Sequence, residues 1–505
     1  METPDTIVSK PLAVEKFLRP FVTVVFIIAA ISGLLWQYPF QALPENHPKI
    51  LAVFRVAFFA LVLCRLWFGR WALSLLWGYS ARSYLQPIWG VWLVVALCGL
   101  VGVGGSLPSY LNLLLFFIVY YRSKYYSIED IYFQLATFVL IFLPTNSSYS
   151  IDALVGLHFL DFSVKSHVLI LLVLNLYAWL LALMLLSAAV EKALTENWRK
   201  GLSFYYFVAL PHLVLPRWHW LRRHKWLCQL ASWLTVLGQG TLFIGYFFPV
   251  LMPFLWLKQI VFGLMLICIV DFSYIGQLFV VQFLLFLLIS TGGGDASAVL
   301  LTQASTSAGL VATVFIVSAF IIMATLRSFL SEQSLYKRWI PNAADKVVRI
   351  ATGSCPVKVF SDAHLFGLYL YRVVDEQGHN WVPAFNNDGG PGQLQRWHPR
   401  YYQGAMYSVT DACLAKRYCA HFDDRRNDRI NDLLVVALER AGRCSKMTLQ
   451  VKAVNPSKDY EPDVAHWLDG CWTDIYEGYM ESGKLVARWI NSPPPVVRTA
   501  RDYQR

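Results

Sequence analysis

Before about residue 326 the chain is a succession of apolar runs separated by short polar breaks, and the length of those runs leaves few folds open. A bilayer core of roughly 30 Å takes about 20 apolar residues of helix. About eight to ten runs approach that length, near residues 20–37, 50–68, 86–105, 109–122, 130–145, 167–190, 228–252, 255–270, 272–290 and 306–326. The runs at 109–122 and 130–145 are short enough to be re-entrant or interfacial, and only Asp271 and its neighbours divide those between 255 and 290. Composition agrees, with 56% of the 505 residues hydrophobic and 15% charged and a mean hydropathy of +0.46. The expected architecture is therefore an all-α polytopic membrane bundle over residues 1–330, followed by a smaller α+β domain facing water over 331–505. Such a balance excludes a disordered chain, a soluble enzyme on one anchor and a nucleic-acid-binding protein. The net charge of +11 belongs to cytoplasmic loops and to the lipid bilayer.

Lys10, Lys16 and Arg19 precede the first run with no convincing cleavage site after it, which predicts a cytoplasmic N-terminus. The segment from Arg199 to Lys225 is the most basic loop and is expected on the same side. The location these features suggest is a bacterial inner (cell) membrane. The side of the C-terminal domain stays open, because it depends on how the late runs divide. The cysteines include no CxxC pair, so no metal site is expected, and Asn146-Ser147-Ser148 is a lone glycosylation sequon.

Ionisable groups inside hydrocarbon are costly, and each is a candidate site. Within or beside the runs these are Arg55, Arg65, Glu129, Asp130, Glu191, Lys192 and Asp271. Arg65, near a span end, reads as snorkelling to the interface, and Glu129 and Asp130 as interfacial. Arg55, among Leu51, Phe54, Phe58 and Phe59, needs a carboxylate, a carbonyl or a ligand, so ion pairing and ligand binding both remain open. Lys192 follows the apolar stretch from Leu169 to Val190; it is either an ordinary span-ending lysine or a desolvated amine able to accept a proton.

The stretch Ala189-Val190-Glu191-Lys192-Ala193-Leu194-Thr195-Glu196-Asn197-Trp198-Arg199-Lys200-Gly201 resembles the glycine-x-x-lysine-leucine and tryptophan-x-x-glycine signature of the HTTM (horizontally transferred transmembrane) family, which includes the vitamin K-dependent gamma-glutamyl carboxylases. Ser150-Ile151-Asp152 resembles the serine-x-aspartate motif of the preceding loop, Arg55 the arginine of the early membrane segment, and Glu129-Asp130 an acidic pair of the middle helix. The likeness covers roughly residues 45 to 330. Ala189 and Ala193 stand in place of glycine and leucine, and no histidine lies between Tyr125 and Phe133, where the carboxylases have one that contributes to the chemistry. The resemblance implies that Lys192 is the base that deprotonates a reduced, vitamin K-like quinone. In the carboxylases oxygen then adds and the resulting base removes a proton from a glutamate side chain, which captures carbon dioxide. Arg55 and Trp198 are the candidates to contact that cofactor, while Asp152, Trp198 and Gly201 also read as architecture, the aspartate as a cap for the segment it precedes and the tryptophan as an interface anchor.

In the tail, Pro356–Ser361, Phe366–Val374, Trp381–Phe385, Met447–Val454 and Lys484–Trp489 read as strands, with Asp375–Gly378 as a turn. Asn427–Ala441 reads as an amphipathic helix on the sheet. This domain is expected to bind a peptide or protein substrate, another partner or its own membrane part. Two functions follow. One is a carboxylase-like or quinol-dependent lyase or oxidoreductase with Lys192 as base; the other is a non-catalytic membrane binding or maturation factor that presents its C-terminal domain. A transporter would need paired broken helices in two repeat halves, and no such repeat is visible.

Overall fold

The computed structural model describes residues 47–69, 82–122, 128–156, 195–209, 216–247, 368–381, 425–442, 446–457 and 459–495, with single positions between them that include Lys192. The expected runs at 20–37, 272–290 and 306–326, and with them Asp271, lie outside the described residues, as do the strand at 356–361 and residues 382–385 of the return strand.

The N-terminal part is helical. Helix α1 spans His47–Gly69, α2 Arg82–Val101, α3 Leu107–Arg122 and α4 Ile128–Phe142, each matching an apolar run. They pack in sequence order, α1 on α2, α2 on α3 and α3 on α4. Helix α1 turns Leu51, Arg55, Phe58, Val62 and Leu66 inward at intervals of three and four residues. Aromatic rings from several helices lock the interior: Phe58 meets Phe133 at 5.7 Å and Trp92 meets Phe116 at 4.7 Å between centroids, both edge to face. A polar chain also crosses it. Trp92 Nε1 donates to Asn112 Oδ1 at 2.6 Å, Asn112 Nδ2 to Thr137 Oγ1 at 2.9 Å, and Thr137 Oγ1 to the Phe133 carbonyl at 2.7 Å. Such buried amides and hydroxyls tie α2, α3 and α4 in one register because each would be costly unpaired. Arg65 lies with its guanidinium 5.0 Å from the Phe133 ring centroid.

These helices are apolar on their outer faces too. Val91, Val94, Leu97 and Val101 form an exposed stripe on α2, and Val53 and Val56 lie outward on α1. Among the described residues one helix, His47–Trp67, is long and apolar enough to cross a membrane; Leu85–Val101, Leu107–Val119 and Phe133–Phe142 are shorter apolar helices.

Beyond α4 come short helices α5 (Ile151–Val155), α6 (Glu196–Arg199) and α7 (Ser203–Ala209), a 3-10 helix at Pro216–Arg223, and the long α8 (Lys225–Phe247). The C-terminal part is an antiparallel meander of β1 (Leu368–Asp375), β2 (Met447–Val454), β3 (Thr473–Glu481) and β4 (Lys484–Trp489), in that order. Helix α9 (Asn427–Ala441) lays Ile430, Leu433, Leu434 and Ala437 on the sheet. At Gly478 of β3 a Cβ would come within 2.8 Å of Leu434 Cδ1, so the missing side chain sets how closely α9 approaches. The turn after β1 is held by the Asp375 carboxylate, which accepts from the backbone N–H groups of Gln377 and His379 and from Trp381 Nε1 at 2.8 to 2.9 Å. Beyond the turn Asn380 forms an isolated bridge with Val374, and Trp381 N donates to the Val373 carbonyl at 2.9 Å.

On β3, Glu477 accepts from Arg488 Nε at 2.7 Å and pairs with Lys446. Hydrogen bonds from these two cations hold its carboxyl below the usual glutamate range. The folded pKa being lower than the unfolded one, this pair stabilises the domain fully above the ordinary value of about 4.3, and the contribution is lost as pH falls through the depressed value. Glu477→Gln should therefore lower the domain's stability near neutrality and flatten its acid limb, so that thermal unfolding read between pH 6 and pH 3 converges with that of the unsubstituted protein at the acid end.

Candidate functional site

Among the described residues, Arg55 and Lys192 stand at the centres of two separate groups. The first forms around Arg55, which is 1% exposed. Its Nη1 donates to the Thr145 carbonyl at 2.8 Å and to Asn146 Oδ1 at 2.7 Å, and its Nη2 to the Tyr149 carbonyl at 2.5 Å. Residues 143–156 thus fold over the end of α1. Asn146 Nδ2 donates in turn to the Gly105 carbonyl, so the sequon asparagine is buried with both side-chain polar atoms engaged. Ser150 caps α5, its Oγ accepting from Ala153 N at 3.0 Å. The cap of this motif is therefore the serine and not, as expected, the aspartate. Asp152 instead reaches across the loop, its Oδ2 accepting from Gly105 N at 2.6 Å, while its own N–H donates to the Gly102 carbonyl at 3.1 Å. Gly102 has φ +71°, and a Cβ there would lie 2.4 Å from Ser150 Cβ and 2.8 Å from Arg55 Nη1. These contacts describe the structural alternative for Arg55.

Lys192 centres the second group. It is helical and 3% exposed. Nζ donates to Gln239 Oε1 of α8 at 3.0 Å and stands 5.4 Å from the centroid of the buried Trp198 ring. Among the described residues no carboxylate pairs with it. The approach of its helix to α8 is close: a Cβ on Gly240 would be 3.7 Å from Ala189 Cβ.

The tryptophan-x-x-glycine part of the motif shapes this corner. Helix α6 ends at Gly201, whose φ of +72° lets Gly201 N donate to the Trp198 carbonyl at 3.1 Å and Leu202 N to the Asn197 carbonyl at 2.7 Å. The last carbonyls of α6 would otherwise be unsatisfied, and α8 supplies donors: Gln229 Nε2 to Lys200 O at 3.2 Å, Trp233 Nε1 to Arg199 O at 3.2 Å and Ser232 Oγ to Gly201 O at 3.1 Å. Docking this tight excludes a side chain, since a Cβ on Gly201 would fall 2.8 Å from Gln229 Cα. Gly201→Ala should accordingly cost about 2–5 kcal/mol from left-handed strain and overpacking together, seen as a lowered unfolding temperature in detergent. Gly201 is architectural, and the corner it allows is what holds Trp198 beside Lys192.

Gln239, Gln229 and Ser232 are site residues that a search for ionisable groups passes over. Their signal is an amide or hydroxyl inside an otherwise apolar run. Glu129 and Asp130 occupy the first turn of α4, and their side chains lie outside the described ones, as does that of Glu191. Comparison of the chain with protein families, curated proteins and solved structures finds no match.

Proposed function

We propose that the chain is a polytopic membrane protein of the HTTM type and that Lys192 serves as a base toward a lipophilic, quinol-like substrate. The observation that carries this reading is a lysine amine sequestered from water with an amide and an indole as neighbours and no described carboxylate to hold it as an ion. One N–H of the amine is spent on Gln239, which orients the group and leaves its lone pair to accept a proton. The donor set also suits a flat apolar ring that carries hydroxyls: an indole to stack on, an amide to hydrogen-bond, and few competing charges. A reduced quinone, when bound, would supply an acidic hydroxyl and a pair of electrons; this chain would take the proton at Lys192 Nζ and exclude water around it.

Outward apolar stripes support the membrane part of the proposal. On α8, Trp226, Leu230, Trp233, Leu234 and Leu237 share one exposed face at helical spacing, with Leu237 64% exposed. A monomer in water rarely shows contiguous apolar faces of this extent. Against hydrocarbon they need no cover, and Trp226 and Trp233 would mark the headgroup level. The cell is taken to be bacterial and the N-terminus cytoplasmic, on the charges named above.

The direct test is purification from membranes in mild detergent, extraction of bound lipid, and measurement of quinol-dependent oxygen uptake with added reduced naphthoquinone. Stoichiometric quinone and uptake above the uncatalysed background are expected; a protein that neither retains quinone nor raises the uptake loses the enzymatic reading. The second function, a non-catalytic factor presenting its C-terminal domain, is favoured by that domain's firm seat on the helices after Lys192. Under it, deletion of residues 330–505 removes function and Lys192 is dispensable.

A further inference from the structure

The seat of the C-terminal domain decides which side of the membrane it occupies. Helix α7 belongs to the domain's core: Tyr205, Tyr206 and Val208 are fully buried in one apolar cluster with Trp467, Tyr371, Leu434 and Met447. Tyr205 OH donates to the Glu461 carbonyl at 2.7 Å and accepts from Glu461 N at 3.1 Å, and Tyr460 OH donates to the Arg222 carbonyl at 2.8 Å. The Tyr205 ring lies 4.8 Å from that of Tyr460 and 5.8 Å from that of Trp467, and Lys225 Nζ stands 5.6 Å from the Tyr460 ring centroid. Burial pushes the Tyr205 phenol well up, so its hydroxyl stays a donor across the physiological range. Residues 202–209 and 216–225 and the domain are therefore one body.

The charge of the connecting segments says where that body lies. Residues 199–225 hold Arg199, Lys200, Arg217, Arg222, Arg223 and Lys225 and no Asp or Glu. Arg70 lies between α1 and α2 and Arg82 opens α2; Arg122 ends α3 and Lys124 lies between α3 and α4. The alternate segments, 102–106 after α2 and 143–156 after α4, carry no Lys or Arg; the next positive charge is Lys165, offset by Asp161. Positive charge thus returns at every second connection, the pattern of cytoplasmic loops. Cys471, exposed and free, suits a reducing compartment.

We infer that the C-terminal domain is cytoplasmic and lies at the Lys192 end of the bundle, opposite the Arg55 loop. The inference rests on the membrane reading proposed above. It requires an even number of crossings between Lys225 and Leu368, a condition met if each of the apolar runs at 228–252, 255–270, 272–290 and 306–326 crosses once.

Labelling of Cys471 in the full chain tests it. Spheroplasts expressing the protein are treated with a membrane-impermeant maleimide before or after permeabilisation, and modification is read by mass spectrometry on the peptide bearing Cys471, with Cys471→Ser as the blank. Modification only after permeabilisation is expected. Equal modification in intact spheroplasts, with the chain still in the carbonate-washed membrane pellet, overturns the sidedness and leaves the membrane reading standing. Release of the chain by the carbonate wash overturns both.

Discussion

Lys192→Met should lower quinol-dependent oxygen uptake by about 10²–10⁴-fold, the range lost with a positioned general base, while the protein still inserts and folds. Methionine keeps the unbranched stem that packs beside Trp198 and removes only the amine. Gln239 Oε1 would lose its 3.0 Å donor, a cost of about 1–3 kcal/mol for a buried acceptor and small enough for the bundle to survive. Lys192→Arg should fail to restore turnover, because a guanidinium stays protonated and cannot accept a proton. Uptake with the reduced naphthoquinone, set beside thermal unfolding in the same detergent, separates chemistry from folding. A Lys192→Met protein with wild-type uptake would remove Lys192 as the base. A variant that unfolds would instead be compared with Gln239→Leu, which breaks the same hydrogen bond from the other side and keeps the amine.

The largest effect on stability is expected at the opposite end of the bundle. Arg55→Ala should destabilise the protein by about 3–5 kcal/mol, as when one partner of a buried charged network is removed. Its guanidinium serves Thr145, Asn146 and Tyr149 together and lies close enough to Asp152 for the two charges to interact. Arg55→Lys should recover little, since an ammonium cannot replace a planar fork that reaches acceptors on both Nη atoms. The measurement is the unfolding temperature in detergent together with the amount of protein in the membrane. A mild loss of stability with loss of bound quinone would return Arg55 to a ligand-binding role.

How much was legible in the chain varies by element. Helix α9 coincides with the expected Asn427–Ala441, and β2 and β4 with the expected Met447–Val454 and Lys484–Trp489, because their apolar periods are unbroken. Strand β1 runs one residue past its expected end at Val374, and positions 366 and 367 of its expected start lie outside the described residues. Strand β3 was not foreseen: Thr473–Glu481 carries Asp474, Glu477, Gly478 and Glu481, residues poor in strand propensity. It is a strand because β2 and β4 pair with it on both sides and α9 needs the gap at Gly478. At the site, Lys192, Trp198 and Gly201 were visible together because they lie on one short stretch, whereas Gln239 enters from another helix.

The amino-acid sequence by itself determined the apolar helices, the character of the C-terminal domain and the few ionisable residues worth asking about. Each of these depends on periodicity, charge or turn chemistry within a short stretch. Tertiary structure decided that Arg55 clamps a loop far along the chain, that Lys192 faces an amide and an indole, and that the tail closes on α7. Those outcomes join residues separated by as many as 256 positions, as in Tyr205 and Glu461. No local pattern encodes such pairs; they form because a buried donor must find an acceptor and an apolar face must find cover.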